Sequence, residues 1–270
     1  MEISPEPHKT TRSVQILLMR HGQSTLNKLQ TTHAASNGLH SKYASYANRW
    51  LTTPDLINAT LTAEGERDCE GRGEALQGVR HVLVSPLRRA VQTAVMAMAD
   101  RRDGEQVSWR VFPWGREMMM CNCDIGLGSE EFLEGYPYID AAEIKGDPLW
   151  FMNYYYERDE NTNLKEKVRA AYEADPRATT ILSIMKDEFP YFEGPKQLNK
   201  RAQKLKDEFK KFIDEKEKSG TPVKDGEILF VGHSRMLRHL LGVFTDSGEI
   251  ISENEVYFEN ADIRPYQIEY

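Results

Sequence analysis

Four short runs rich in apolar residues constrain the fold of this chain more than any other feature, and polar or charged residues lie at or soon after the end of each. They span residues 14–19, 79–84, 107–112 and 227–232. Short apolar runs are typical of strands buried on both faces of a parallel sheet, and 107–112 alternates between apolar and polar residues as a strand can. The longer stretches between them leave room for helical crossovers. We therefore predict an α/β protein, a three-layer α/β/α sandwich with a mostly parallel central sheet.

Local signals between these runs predict helices. Thr62 can cap a following helix, and Pro86 can occupy the first position of a helix that begins after Ser85. Residues 196–218 carry apolar side chains at spacings of three and four, which indicates a long amphipathic helix. The expected helices are 62–76, one starting at 85–86, 196–218, one from about 236, and one around 43–50.

The chain is expected to form one domain. Residues 1–13 lack any hydrophobic period and are predicted to be a mobile tail, so the domain is expected to span residues 14–270. Residues 118–195 are the least regular part of the sequence and contain several Gly and Pro residues. We interpret them as an insertion that covers the site.

Composition excludes several classes of protein. With 40% hydrophobic residues the chain can form a sizeable core, and its net charge of -7 gives no general attraction to nucleic acid or to an anionic membrane. Three cysteines are too few for a disulfide framework, which favours a reducing compartment, the cytoplasm or the nucleus, and a cytoplasmic location is the prediction. Cys121 and Cys123 lack the spacing of a common metal motif, so no metal and no cofactor is expected.

The ends of the four predicted strands carry a consistent set of side chains. Parallel strands joined by right-handed crossovers bring their carboxyl ends to one edge of the sheet, where ligand sites of open α/β folds form. The residues at these ends are Arg20, His21 and Gly22; Ser85, Arg88 and Arg89; Arg116 and Glu117; and Gly232 and His233. Two histidines, two arginines and a carboxylic acid at one edge predict a site for phosphoryl transfer.

Each residue type suits a part of that chemistry. Arg20 and Arg89 offer planar, permanently charged forks for phosphoryl oxygens. A neutral imidazole, that of His21, can attack phosphorus and divide one displacement into two steps. Glu117 can give a proton to the leaving oxygen and later activate water. His233 is expected to stabilise charge on the transferring oxygens.

Three segments together resemble the histidine phosphatase superfamily, whose fold is that of phosphoglycerate mutase. Residues 18–27, LMRHGQSTLN, are similar to its R-H-G-[EQ]-[ST]-x-x-N motif; residues 85–94, SPLRRAVQTA, to its S-P-L-x-R-A-x-x-T-A segment; and residues 230–234 end in a matching Gly-His-Ser. The L-T-x-x-G stretch at 61–65 also resembles a helix start of that family. The three segments occur in the family's order.

The resemblance implies roles for individual residues. It implies that His21 is the phosphorylated nucleophile, and that Arg20, Arg89 and His233 complete the phosphate pocket. The residues that it places near substrate are Gln23, Ser24, Asn27 and Ser234.

The sequence that follows the predicted acid, Glu117, departs from that of the family's mutases. They carry the glutamate in an E-R-x-Y-G-x-L-x-G pattern, whereas Glu117 is followed by MMMCNCDIG at 118–126. That run looks more like mutase-like phosphatases of plants and fungi. The family's usual Asp before L-T-x-x-G is also missing. A rival interpretation makes Glu117 a surface ion-pair partner of Arg116, with Glu130 or Glu131 as the acid.

The sequence thus predicts a metal-independent phosphatase that hydrolyses a phosphomonoester through a phosphohistidine on His21. A phosphoglycerate mutase-type transferase and a catalytically inactive scaffold with a phosphate pocket remain alternatives. The substrate is expected to be a small phosphorylated metabolite or a phosphoprotein, and the sequence makes no prediction of oligomeric state. Arg88, the tyrosines at 154–156, the methionines at 118–120 and the five other histidines (His8, His33, His40, His81 and His239) are expected to have structural or solvent-facing roles.

Overall fold

The computed structural model describes residues 12–36, 54–104, 106–156, 163–185, 193–243, 245 and 257–270. The predicted helix at 43–50 and most of the predicted N-terminal tail lie outside these ranges. The first strand begins at Ser13, so the predicted domain boundary at residue 14 is one residue late.

Six strands within the described residues form one sheet in the order β4-β3-β2-β5-β1-β6. Neighbouring strands are parallel except β6, which runs antiparallel to β1. The strands are β1 Ser13–Arg20, β2 His81–Val84, β3 Ser108–Val111, β4 Ile139–Asp140, β5 Ile228–Gly232 and β6 Ile263–Glu269. The four predicted strands are confirmed, and they are neighbours in the sheet.

Successive side chains of the central strands point to opposite faces and enter two separate hydrophobic clusters. In β5, Leu229 and Val231 belong to one cluster, and Ile228 and Phe230 belong to the other. This alternation is the expected consequence of the two-residue period of a strand. Helices cover both faces, so the predicted three-layer α/β/α architecture is confirmed.

The helices occupy the stretches between strands. They are α1 Thr25–Ser36, α2 Ala63–Arg67, α3 Arg88–Ala99, α4 Ser129–Glu134, α5 Leu164–Ala174, α6 Ala178–Met185, α7 Pro195–Lys218 and α8 Ser234–Leu241. Helix α3 packs on the first cluster, while α7 and α8 pack on the second. Among the described residues, no helix combines the length and apolar composition that crossing a membrane requires.

Two predicted helix boundaries were wrong. Thr62 does cap α2 by accepting from the Gly65 amide over 3.0 Å, but the helix ends at Arg67 instead of 76. Residues 68–71 form turns instead of further helix, and Gly71 at their end is in the left-handed region with φ 72°. Helix α3 begins at Arg88, so Pro86 precedes the helix and does not open it.

The described parts of segment 118–195 contribute to the main core. Strand β4 pairs with β3, and Trp150, Phe151 and Met152 are buried in the first cluster. Tyr155 is buried with them, and the rings of Tyr154 and Tyr156 contact Trp114. Packing is therefore the role that the structure gives this tyrosine run.

Candidate active site

The carboxyl ends of the parallel strands open into a cavity of about 580 Å³. Strand β1 ends at Arg20 with His21 next, and β5 ends at Gly232 just before His233. The backbone joins these ends, because the His21 amide donates to the Gly232 carbonyl over 3.0 Å. The cavity lining includes most of the predicted site residues: Arg20, His21, Gln23, Ser24, Asn27, Arg89, Glu117 and Ser234.

His21 is buried and its ring is held in one tautomer. Nδ1 lies 2.7 Å from the carbonyl oxygen of Gly22. A carbonyl can only accept, so Nδ1 carries the proton and Nε2 keeps its lone pair. Burial, followed by the charges of Arg89 and Arg20, lowers the pKa of His21 well below 6.5. The ring is therefore neutral near pH 7 and carries its lone pair on Nε2.

Arg89 lies beside that nitrogen and is oriented by Asp124. Its Nε donates to Nε2 of His21 over 3.3 Å, and its Nη2 pairs with Asp124 Oδ1 over 3.0 Å. Nη1 donates to the Cys123 carbonyl over 2.7 Å. Asp124 also accepts from the amides of Met120 and Cys121. The sequence prediction missed Asp124 as a site residue, although Asp124 lies in the MMMCNCDIG run at 118–126.

Arg20 approaches the cavity from β1 and is held by the C-terminal segment. Its Nη1 donates to the Phe258 carbonyl over 2.6 Å, and its guanidinium lies 5.7 Å from the ring centre of Tyr257. Tyr257, Glu259 and Asn260 also line the cavity. The sequence prediction missed these three residues, because they lie in a segment without a recognisable motif.

Glu117 lines the cavity and is not paired with Arg116 through its carboxylate. Its Oε2 accepts from the Arg235 amide over 3.2 Å, and its Oε1 accepts from the Met236 amide over 3.3 Å. Loss of solvation, followed by the charge of Asp124, raises the pKa of Glu117. A raised pKa is what a proton donor near neutral pH requires. The rival interpretation is wrong, since Arg116 is fully buried and its ion-pair partner is Glu193.

His233 lies behind His21 and does not line the cavity. Their ring centres are 5.1 Å apart, and Nε2 of His233 is 2.7 Å from the hydroxyl of Ser85. Nδ1 of His233 has no hydrogen-bond partner among the described residues. Burial, followed by the charges of Arg89 and His21, lowers the pKa of His233. The structure therefore brings both histidines together, with His21 in front.

Two glycines allow the backbones of the motif segments to touch. A Cβ on Gly22 would lie 2.4 Å from the Gly65 carbonyl oxygen, and one on Gly65 would lie 2.0 Å from the Gln23 carbonyl oxygen. The Thr62 hydroxyl bonds the Gln23 side chain over 2.8 Å. The L-T-x-x-G stretch thus supports the loop that carries His21.

Ser24 and Asn27 satisfy each other at the start of α1. The Ser24 hydroxyl donates to Asn27 Oδ1 over 2.9 Å, and the Ser24 amide donates to the same oxygen over 3.1 Å. Both residues line the cavity, and these hydrogen bonds join them to each other. They shape the first turn of the helix as well as the cavity wall.

Cys121, Cys123 and the neighbouring Asp124 have the residue types of a metal site, but the Asp124 carboxylate is already paired with an arginine. With Asp124, the two thiols place three ligand atoms within 4.8 Å of one another. However, the Asp124 carboxylate already accepts from Arg89, whose positive charge disfavours a cation at the same oxygens. We assign no metal to this cluster.

Several of the residues expected to be structural have such surroundings, while Met118 and Met120 also line the cavity. His81 contacts the Ser108 hydroxyl and the ring of Phe212. The guanidinium of Arg88 lies 5.0 Å from the ring centre of Phe132, away from His21. Glu130 bonds the Gly146 amide and is not part of the cavity lining. His8, His40 and the side chain of His33 lie outside the described residues.

Comparison with known proteins returned solved structures alone: no family model and no curated protein matches the chain. A protein described as mycobacterial hydrolase 1 has 16% identity and a TM-score of 0.47, with 95% of this chain and 91% of that chain covered. A mycobacterial glucosyl-3-phosphoglycerate phosphatase has 16% identity and a TM-score of 0.44 over the same shares. A phosphoglycerate mutase from Bacillus anthracis has 15% identity and a TM-score of 0.43, with 96% and 92% covered.

Proposed function

We propose that this chain is a phosphatase of the histidine phosphatase superfamily that hydrolyses a phosphomonoester through a phosphohistidine on Nε2 of His21. The observation that carries the proposal is the 2.7 Å contact between Nδ1 of His21 and the Gly22 carbonyl. That bond leaves the Nε2 lone pair beside the Arg89 guanidinium, in the cavity. An unprotonated nitrogen next to a fixed cation suits attack on an anionic phosphoryl group.

In the first step, Nε2 forms a bond to phosphorus and the bond from phosphorus to the ester oxygen breaks. Glu117 supplies the proton that the departing alkoxide needs, which its raised pKa supports. In the second step, Glu117 takes a proton from water as the water oxygen attacks phosphorus. The phosphorus–nitrogen bond breaks, and the free enzyme and inorganic phosphate result.

Arg20 and Arg89 are the proposed partners of the phosphoryl oxygens. Both line the cavity, and Asp124 fixes the plane of the Arg89 fork. His233 is buried behind His21, so its proposed contribution to the transferring oxygens depends on the unpartnered Nδ1. Gln23, Ser24, Asn27 and Ser234 are proposed to contact the substrate from the cavity wall.

The cavity favours a small phosphorylated molecule over a phosphoprotein. Its volume of about 580 Å³ is that of an ordinary small-molecule site. Beyond the arginines at the reaction centre it is also lined by Arg235 and Arg238, which suit a substrate with a second anionic group. We also propose a cytoplasmic location, supported by the three free cysteines.

Two alternative functions are kept because they use the same residues. A phosphoglycerate mutase-type transferase needs the same nucleophile, acid and arginines, and a bisphosphoglycerate-dependent exchange assay separates it from a phosphatase that releases inorganic phosphate. An inactive scaffold would form no phosphohistidine with any phosphoester of a broad panel. The position of Glu117 in the cavity speaks against the scaffold.

The proposed function is tested by comparing phosphate release from a generic phosphomonoester by the wild type and by His21→Ala. We expect the substitution to abolish turnover. His81→Ala is the matched control, because His81 is a histidine of β2 outside the cavity lining. Undiminished turnover by His21→Ala would exclude His21 as the nucleophile.

A further inference from the structure

A buried cluster of charged residues lies next to the proposed acid. Arg116, Glu193 and Arg201 are all fully buried. Arg201 donates to both carboxylate oxygens of Glu193, from Nε over 2.7 Å and from Nη2 over 2.9 Å. Arg116 adds a third donor to Glu193 over 3.4 Å. The cluster joins the first turns of α7 to the loop after β3.

The donors of this cluster converge on the backbone that carries Glu117. Arg201 Nη2 donates to the Glu117 carbonyl over 3.1 Å, and Arg116 Nη1 donates to the same oxygen over 2.7 Å. Arg201 Nη1 also donates to the carbonyls of Trp114 and Arg116. Glu193 in turn accepts from the Met119 amide over 2.9 Å. The peptide groups on both sides of Glu117 are therefore fixed. Arg201 of α7 holds the carbonyls of Arg116 and Glu117, and the Arg116 side chain also holds the Glu117 carbonyl.

The other end of Glu117 is fixed independently. Its carboxylate accepts from the amides of Arg235 and Met236 at the start of α8. The cluster thus holds the backbone of Glu117 while α8 holds its carboxylate. Burying two guanidinium groups is costly, and apolar side chains of similar volume would stabilise a core at least as well. Guanidinium groups, unlike apolar side chains, donate hydrogen bonds in fixed directions and so can hold a carbonyl in one orientation.

We propose that Arg201, anchored by Glu193, is a positioning residue that holds Glu117 where it can protonate the leaving oxygen. The proposal rests on the proposed function, since it assigns Arg201 a role in the acid step. It also assigns Glu193 a role that is indirect, through Arg201.

The test uses two phosphomonoesters that differ in their need for an acid. The 2,4-dinitrophenolate of 2,4-dinitrophenyl phosphate leaves without a proton, whereas the alkoxide of propyl phosphate requires one. The value of kcat/KM reports on the steps through the first phosphoryl transfer. For Arg201→Met we expect kcat/KM with propyl phosphate to fall about a hundredfold, the contribution of a general acid, and that with 2,4-dinitrophenyl phosphate to change far less.

Two further variants keep the proposal falsifiable if Arg201→Met does not fold. Glu193→Gln retains the shape of the anchor and removes its charge, and we expect the same selective loss at a smaller size. Arg201→Lys is expected to recover part of the rate with propyl phosphate. Lys211→Met, an exposed position on the same helix, is the matched control and should leave both rates unchanged.

An equal fall with both esters would show a purely structural role and overturn the proposal, as would wild-type rates in both Arg201→Met and Glu193→Gln. Failure of the proposed function has a different signature. In that case the wild type would turn over neither ester, or His21→Ala would turn over both.

Discussion

Arg89 donates a hydrogen bond from its Nε to Nε2 of His21 over 3.3 Å. A fixed positive charge therefore lies beside the nitrogen that is proposed to attack phosphorus. The charge acts in two ways: it contributes to the lowered pKa of His21, after burial, and it offers further guanidinium donors to an arriving phosphoryl group. We expect both effects to weaken if the guanidinium rotates away from His21.

Asp124→Asn should release Arg89 from that orientation. The pair is buried at both ends and joined over 3.0 Å, and removing one charge of a buried pair costs about 3–5 kcal/mol of unfolding free energy. We expect a lower free energy of unfolding in denaturant titrations and a strongly reduced kcat/KM. Asp175→Asn removes a carboxylate from a solvent-exposed pair with Arg177 and should alter neither quantity. Equal behaviour of the two variants would contradict the orienting role of Asp124.

The rate should depend on pH through two groups with opposite requirements. Activity needs unprotonated His21 and protonated Glu117. Since the pKa of His21 is lowered, kcat/KM should rise with pH in a range below 6.5; since the pKa of Glu117 is raised, kcat/KM should fall as pH rises in a range above 4.5. The second ionisation of the substrate also occurs near pH 6 and affects every variant alike. Profiles of wild type and Glu117→Gln with propyl phosphate separate these effects. A falling limb that persists unchanged in Glu117→Gln would rule out Glu117 as its source.

Gly22→Ala should disturb the site through backbone contact alone. The new Cβ would lie 2.4 Å from the Gly65 carbonyl oxygen, so the loop that holds His21 must shift. Overpacking of this kind costs about 1–3 kcal/mol, which denaturant unfolding can measure. Activity should fall as well, because the Gly22 carbonyl fixes the His21 ring. Gly135→Ala is the control: its Cβ would lie 3.3 Å from the nearest atom, and near-wild-type stability is expected. A Gly22→Ala protein with unchanged stability and rate would contradict the close approach.

The sequence predicted β1, β2 and β5 because their burial leaves a local signal, a short apolar run. Strand β6 left no such signal. It lies at the sheet edge, all its residues except Ile268 are exposed or part-exposed, and it contains Pro265, which an edge strand tolerates. The end of α2 was also missed, because the helix stops at Arg67 and neither Arg67 nor Asp68 is a residue type that breaks helices.

The sequence predicted those cavity residues that follow a strand directly or closely. It did not predict residues whose position depends on contact between distant segments of the chain. His21 and Glu117 fall directly at or near strand ends. Arg201 lies in the second turn of a helix rich in lysine, and its residue type alone indicates one more solvated charge. Its spacing from Leu198 and Leu205, three and four residues, was a usable signal, because it places the arginine on the apolar face of α7. Its partner Glu193 could not be assigned from sequence, since their pairing depends on tertiary contact.

The central claim is that His21 becomes phosphorylated. Its most direct test is rapid acid-free quenching of the wild-type protein during turnover of propyl phosphate or 2,4-dinitrophenyl phosphate, followed by mass-spectrometric mapping of the phosphate. The account predicts an acid-labile phosphate on the peptide that contains His21, at Nε2 by phosphorus NMR. With 2,4-dinitrophenyl phosphate, whose leaving group needs no proton, it predicts a larger amount in Glu117→Gln, because only the hydrolysis of the intermediate is then slowed. Phosphate release by a wild-type protein that never carries phosphate on His21 would contradict it.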